Sequence, residues 1–130
     1  SLAAAIANIQ VMQDEHIVEH ARQMGPALHR MLADLGEQHP SVGEVRSIGL
    51  FGVIELVRDR QTREPLAPWN ASSAEMNALR KFCLERGLFL YTHWHTVLII
   101  PPLIITEEEL AEGFHILDQA LTITDATVKG

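Results

Sequence analysis

Apolar positions in the opening third of the chain repeat with a helical period. Met24, Leu28, Met31 and Leu35 fall at i, i+4, i+7 and i+11, while Gln13, Asp14, Arg22, Gln23 and Arg30 form a polar face. The pattern predicts one long helix from Leu2 to about Leu35. Gly25-Pro26 interrupts it, because Pro26 has no N–H for the Arg22 carbonyl and its ring crowds that turn, so a kink or two abutting helices is expected there. Gly36 reads as the stop, ahead of a loop through His39-Pro40. Two strands follow at residues 42–48 and 50–57, rich in β-branched side chains and punctuated by Gly43, Gly49 and Gly52. Residues 58–70 are polar, carry Pro65 and Pro68, and read as a surface loop. Ser72 with Glu75 three positions later is a capping-box signature. It opens a helix with Met76, Leu79, Phe82 and Cys83 on its core face and Gly87 at its end. Residues 88–91 and 96–100 read as two more strands, bounded by Trp94-His95 and by Pro101-Pro102. Thr106 with Glu109 caps a last helix that buries Leu110, Phe114, Leu117 and Leu121, and residues 125–130 read as a tail.

The order α-β-β-α-β-β-α lacks the alternation of a βαβ series. It predicts an α+β, two-layer domain: a small mixed or antiparallel sheet covered by helices on one face, with a long N-terminal helix. Neither an internal repeat nor a low-complexity tract is present.

Composition narrows the functional class. At 130 residues the chain is one domain, and 47% hydrophobic with 21% charged residues is an ordinary globular balance. A net charge of -7 argues against a nucleic-acid partner, whose phosphates demand clustered Lys and Arg. A single cysteine, Cys83, excludes an internal disulfide framework and fits a reducing, cytoplasmic setting. No apolar run is long enough for a membrane span, so no membrane partner is expected. The chain starts at Ser1 within a helical pattern, so it is expected to be a piece of a longer polypeptide.

Candidate chemistry is sparse. His16 and His20 stand four apart on a helix, a spacing that suits a metal but lacks a third ligand. His93 and His95 flank Trp94; in a strand both imidazoles would share a face and form an anion-contacting rim, or an edge strand with two exposed His. Glu107, Glu108 and Glu109 sit in a first helical turn, where the helix dipole explains them. Cys83 reads as a core residue, since no electropositive neighbour favours a thiolate. Gly49-Leu50-Phe51-Gly52 is wrongly spaced for a dinucleotide loop, and no phosphate-binding loop exists. No complete catalytic apparatus emerges from the residues.

Several stretches in sequence order resemble the C-terminal small domain of class III aminotransferases, the pyridoxal-phosphate enzymes of the ω-amino-acid type. They are the Ala-rich residues 1–9, His39-Pro40 leading into residues 42–49, residues 52–56, Gly87-Leu88-Phe89, residues 101–109 and residues 112–121. Residues 62–68 and 123–125 resemble the branch that uses taurine with pyruvate. The resemblance implies the small domain of a fold-type-I transferase spanning residues 1–130. It implies pyridoxal phosphate as cofactor, an amino donor and a 2-oxo acid as substrates, and a homodimer or higher. It also implies that the cofactor-bearing large domain, with the Schiff-base lysine, lies elsewhere in the polypeptide. Lys81, on a surface-facing helical stretch, and Lys129, in the tail, lack the desolvated setting of a reactive lysine, so no catalytic residue is carried over.

Many relatives place a substrate-gripping arginine in the strand after Gly-Leu. Here that stretch holds Tyr91 or His93 at the corresponding place, depending on the alignment, so these two are the candidate substrate-binding residues. The alternative reading is a free-standing module that binds a small anion or a protein partner without chemistry. It would leave the Ala-rich opening exposed as a large apolar patch.

Overall fold

The computed structural model describes residues 1–129. Its elements are α1 (Leu2–Asp14), α2 (Ile17–Gln38), β1 (Val42–Ile48), β2 (Phe51–Asp59), β3 (Glu64–Pro65), α3 (Ala74–Glu85), β4 (Tyr91–His93), β5 (Thr96–Ile99) and α4 (Glu107–Asp125). The strands lie in the order β1-β2-β5-β4, with β3 added to β2, and every pairing is antiparallel. Two short connections impose this, Gly49-Leu50 between β1 and β2 and Trp94-His95 between β4 and β5, since two residues can only return a strand antiparallel.

One face of this sheet is apolar. Val45, Ile54 and Val97 stand in one cross-strand row, and Gly52 faces Ile99 in another. Three helices cover that face with Leu28, Leu32 and Leu35 from α2, Met76, Leu79 and Cys83 from α3, and Leu110, Phe114, Leu117 and Leu121 from α4. The opposite face carries Arg46, Val53, Glu55 and Leu98, all partly exposed or exposed. The α+β layering with helices on one face is therefore the observed architecture.

The long opening helix differs from the expected one. Its break falls at Glu15-His16, where His16 adopts φ 53, and α2 runs without interruption through Pro26 to Gln38. Pro26 is exposed, so its ring stays clear of the core. The missing hydrogen bond costs roughly 3 kcal/mol. Burying Met24, Ala27, Leu28, Leu32 and Leu35 along the same face outweighs it, at roughly 1.5–3 kcal/mol for each large side chain. Leu32, not Met31, is fully buried in that stripe beside Leu28. Gly36 does not stop the helix, because the guanidinium of Arg60 closes the end further on, donating to the carbonyls of Gly36 (2.6 Å), His39 (2.6 Å) and Pro40 (3.1 Å). Helix α1 has no buried residue.

Residues 58–70 are more than a surface loop. Leu66 and Ala67 are fully buried, Leu66 N–H bonds to the Leu56 carbonyl at 2.9 Å, and Arg58 joins the Leu66 carbonyl to Glu75. Their cause is tertiary, because β3 can form only once β2 is in place. The cap of α3 is Ser73, which accepts from Met76 N–H at 3.2 Å, in place of Ser72. Its C-terminal end matches expectation: Gly87 takes φ 84 and Leu88 N–H reaches the Cys83 carbonyl. The Thr106–Glu109 capping box of α4 is present with both reciprocal bonds. The expected tail is tethered, since Asp125 is the last residue of α4 and Lys129 N–H bonds to the Arg58 carbonyl at 2.8 Å; Gly130 lies outside the described residues.

At the end of the molecule where α2 passes into β1, a polar cluster replaces apolar packing. His39 is buried between two carboxylates, with Nδ1 2.6 Å from Asp125 and Nε2 2.9 Å from Asp118. The same Asp125 accepts from Ser41 N–H and Oγ, and Ser41 Oγ meets Thr124 Oγ1 at 2.7 Å. Burial by itself would push the His39 imidazolium down, but hydrogen bonds to Asp125 and Asp118 prevail and hold its pKa above the ordinary value. A raised folded value means that this stabilisation is complete below about pH 6.5, the ordinary histidine pKa. It is lost as pH rises through the folded value. Urea unfolding between pH 6 and 9 should therefore show stability falling with pH, and His39→Gln should flatten that slope.

Candidate functional site

The hairpin β4–β5 presents both candidate residues predicted from sequence. Tyr91 pairs with Leu98 and His93 with Thr96, in the register that continues through Val53 and Glu55 of β2. Alternation along a strand then places Tyr91 and His93 on the sheet face that the helices leave free. Both are exposed, Tyr91 by 54%. Among the described residues, no hydrogen bond engages the Tyr91 hydroxyl or the His93 ring.

The strand is shorter and later than expected. Residues 88–90 precede β4, with Leu90 in the core. Trp94 and His95 form the turn, so the reading in which His93 and His95 share one face fails. Trp94 takes φ 54, the reversal a two-residue hairpin requires. His95 turns a buried Nδ1 inward without a partner, and its carbonyl accepts from Leu56 N–H.

Trp94 brings a second aromatic to the corner. Its ring lies 3.9 Å from His93 and 3.7 Å from Trp69, centroid to centroid. Trp69 follows the anchored pair Leu66-Ala67, and sequence reasoning passed over it. Its apolar neighbours read only as loop, and the contact to Trp94 spans a separation that no local pattern reports. At the end of the hairpin away from this turn, an apolar groove of about 410 Å³ lies between residues 88–91, residues 98–102 and α4, with Tyr91 on its wall.

Charge at this face is already committed. Arg46 binds Glu44 at 3.0 Å and Glu55 at 2.6 Å, and Arg63 binds Glu44. Hydrogen bonds from Arg46 and then Arg63 hold the Glu44 carboxyl below its ordinary value. Arg86, the arginine nearest to β4 in sequence, lies over the Phe82 ring at 3.4 Å.

The remaining sequence candidates do not assemble a second site. His16 sits at the break between α1 and α2, while His20 Nε2 lies 2.8 Å from the Ile105 carbonyl. No group of three metal-binding side chains occurs among the described residues. Cys83 is a buried core residue whose thiol burial pushes up to about 11. Glu109 serves the α4 cap and Glu107 pairs with Arg30 at 3.4 Å. Among the described residues, no helix is long and apolar enough to cross a membrane.

A family model for class-III aminotransferases matches residues 1–121. The chain belongs to the class-III aminotransferase family. It is 40% identical over 124 residues to ethanolamine-phosphate phospho-lyase homolog 1 of Caenorhabditis elegans, covering 93% of this chain and 26% of that protein. It is 34% identical over 130 residues to taurine–pyruvate aminotransferase of Bilophila wadsworthia, covering 95% of this chain and 27% of that one. The taurine:2-oxoglutarate aminotransferase of Bifidobacterium kashiwanohense, solved with pyridoxal phosphate and glutamate, superposes with a TM-score of 0.90 at 31% identity. That match covers 98% of this chain and 28% of the solved one. This class-III aminotransferase chain thus spans about a quarter of the length of the curated relatives it matches.

The family implies pyridoxal phosphate, but the two lysines here do not fit it. Lys81 is 77% exposed and stands 3.8 Å from Glu85, and Lys129 is 61% exposed and paired with Glu64 at 2.6 Å. A lysine becomes a nucleophile for an aldehyde when desolvation lowers its pKa, and neither is desolvated. Mixing these 130 residues with pyridoxal phosphate and reducing with borohydride should give no stoichiometric adduct at either lysine by mass spectrometry. The native Cys83 thiol should resist a thiol reagent at pH 8 and react fully in denaturant.

Proposed function

We propose that residues 1–130 are the C-terminal small domain of a pyridoxal-phosphate transaminase that moves an amino group from an ω-amino acid, an amine or taurine to a 2-oxo acid such as pyruvate. The supporting observation is that the family match runs across the chain while both of its lysines are exposed and ion-paired. The chain therefore contributes binding surface, and the cofactor and its lysine belong to a large domain of the same cytoplasmic protein. Helix α1, apolar yet without a buried residue, is the surface that packs on that large domain. The intact enzyme is a homodimer or a larger oligomer.

In this reading the free face of β4 closes over the amino donor. Tyr91 and His93 offer an O–H and an imidazole to the end of the donor remote from the reacting amine. Closing the site excludes water, which strengthens each of those contacts. Taurine as the donor is supported by the 34% identity to a taurine–pyruvate aminotransferase, and the 40% relative with a phospho-lyase name sets the competing reaction.

The complete protein, loaded with pyridoxal phosphate, should form alanine from pyruvate and an amino donor. Release of phosphate from phosphoethanolamine without alanine formation would replace transamination by elimination. Tyr91→Phe with His93→Ala should raise KM for the donor by about tenfold, the loss of one or two neutral hydrogen bonds, and leave KM for pyruvate unchanged. Equal effects on both substrates would remove these residues from donor recognition.

A further inference from the structure

Two hollows meet at Phe89, just ahead of β4. One is the apolar groove of about 410 Å³ against α4. The other, of about 370 Å³, lies against α3 and is lined by Asn77, Arg80, Lys81 and Leu84. Phe89 and Leu90 line both, and Phe89 is 77% exposed. Each volume falls in the roughly 300–1,000 Å³ range of small-molecule sites.

Their chemistry differs. Along the groove only Tyr91 and Glu109 end in polar groups, and the Glu109 carboxylate already accepts from Thr106 N–H and Oγ1. The α3 hollow holds two cations. Among the described residues Arg80, exposed on α3, enters no ion pair, and Lys81, 77% exposed, reaches Glu85 only at 3.8 Å. No Lys or Arg lies between Gly87 and Thr106 or within α4, whose first two turns carry Glu107, Glu108, Glu109 and Glu112. Positive charge is therefore confined to the α3 end, and an elongated ligand is polarised: its anion beside Arg80 and Lys81, its apolar body across Phe89 in the groove. A peptide laid there would bring backbone N–H and C=O groups that apolar walls cannot satisfy, whereas an alkyl chain brings none. The net charge of -7 opposes the anionic surface of a membrane.

We infer that this surface is a binding site for a free long-chain monocarboxylate, with the alkyl chain in the groove and the carboxylate between Arg80 and Lys81.

The test is calorimetric titration of the complete holoenzyme with dodecanoate, dodecylammonium and butanoate, each well below its micelle concentration. Dodecanoate should bind once per chain. Dodecylammonium, with the wrong head, and butanoate, with too short a chain, should each bind at least about tenfold more weakly. Arg80→Glu with Lys81→Glu should weaken dodecanoate by about tenfold or more and leave the unfolding temperature unchanged, since both side chains are exposed. A Cβ on Gly113 meets only a Leu88 methyl, at the ordinary contact distance of 3.6 Å, so Gly113→Leu should occupy groove volume and weaken dodecanoate as well. Equal affinity for dodecylammonium, or binding untouched by the charge reversal, would overturn the inference. So would uptake of many dodecanoates per chain, which is detergent action, or no uptake, as when the remaining polypeptide fills the groove. Binding to phosphatidylserine vesicles without binding to free dodecanoate would assign the surface to a membrane and overturn it too.

Discussion

The molecule depends on how closely α2 lies against the β1–β2 hairpin. A Cβ on Gly52 would come within 2.8 Å of a Leu32 methyl and 3.4 Å of a Leu28 methyl, and one on Gly25 would stand 3.1 Å from the Gly49 Cα. Glycine at these positions lets a helix and a strand approach to the distance at which their side chains interdigitate. From that seat the rest follows. The remaining helices must fill the same face, and the sheet is left with one side that no helix among the described residues covers.

The two ends of the sheet then do different things. Where α2 meets β1, His39, Ser41, Thr124 and two aspartates satisfy one another, and Arg60 closes the last carbonyls of the helix. A saturated network of this kind locks the last turn of α4 to the rest of the fold, because breaking one partner leaves another buried and unmet. At the β4–β5 corner the reverse holds. Among the described residues, the Tyr91 hydroxyl and the His93 ring have no hydrogen-bond partner, and the Trp69 indole stands exposed against Trp94. Polar groups saturated at one end and free at the other distinguish a structural lock from a surface that meets something.

Membership of the class-III aminotransferases gives that surface a context, and the chemistry of the chain limits its part. Lysines exposed in salt bridges at the surface lack the desolvated setting of a Schiff-base lysine, and a thiol pushed to about 11 is inert. What this chain can supply is shape, hydrogen-bond donors and exclusion of water. Contributions of that kind discriminate between substrates, since discrimination arises from contacts made or left unpaired at the remote end.

Much of the fold was legible along the chain because its signals are local. The capping box at Thr106, the αL glycine at Gly87 and the 3.6-residue stripe of α4 each depend on a few neighbouring residues, and each is found as read. The position of the helix break was not legible. Pro26 announced one, yet the burial of Leu28 and Leu32 against the sheet outweighed a single lost hydrogen bond, and the chain bent at His16 instead. The same limit hid the His39–Asp125 pair and the Trp69–Trp94 contact, whose partners are brought together only by the finished sheet. Alone, then, the amino-acid order decided most of the elements, the one-sided layering and the family. Only the tertiary structure decided which side chains met across distant segments, because the energy of those meetings exists nowhere until helix and sheet have closed on each other.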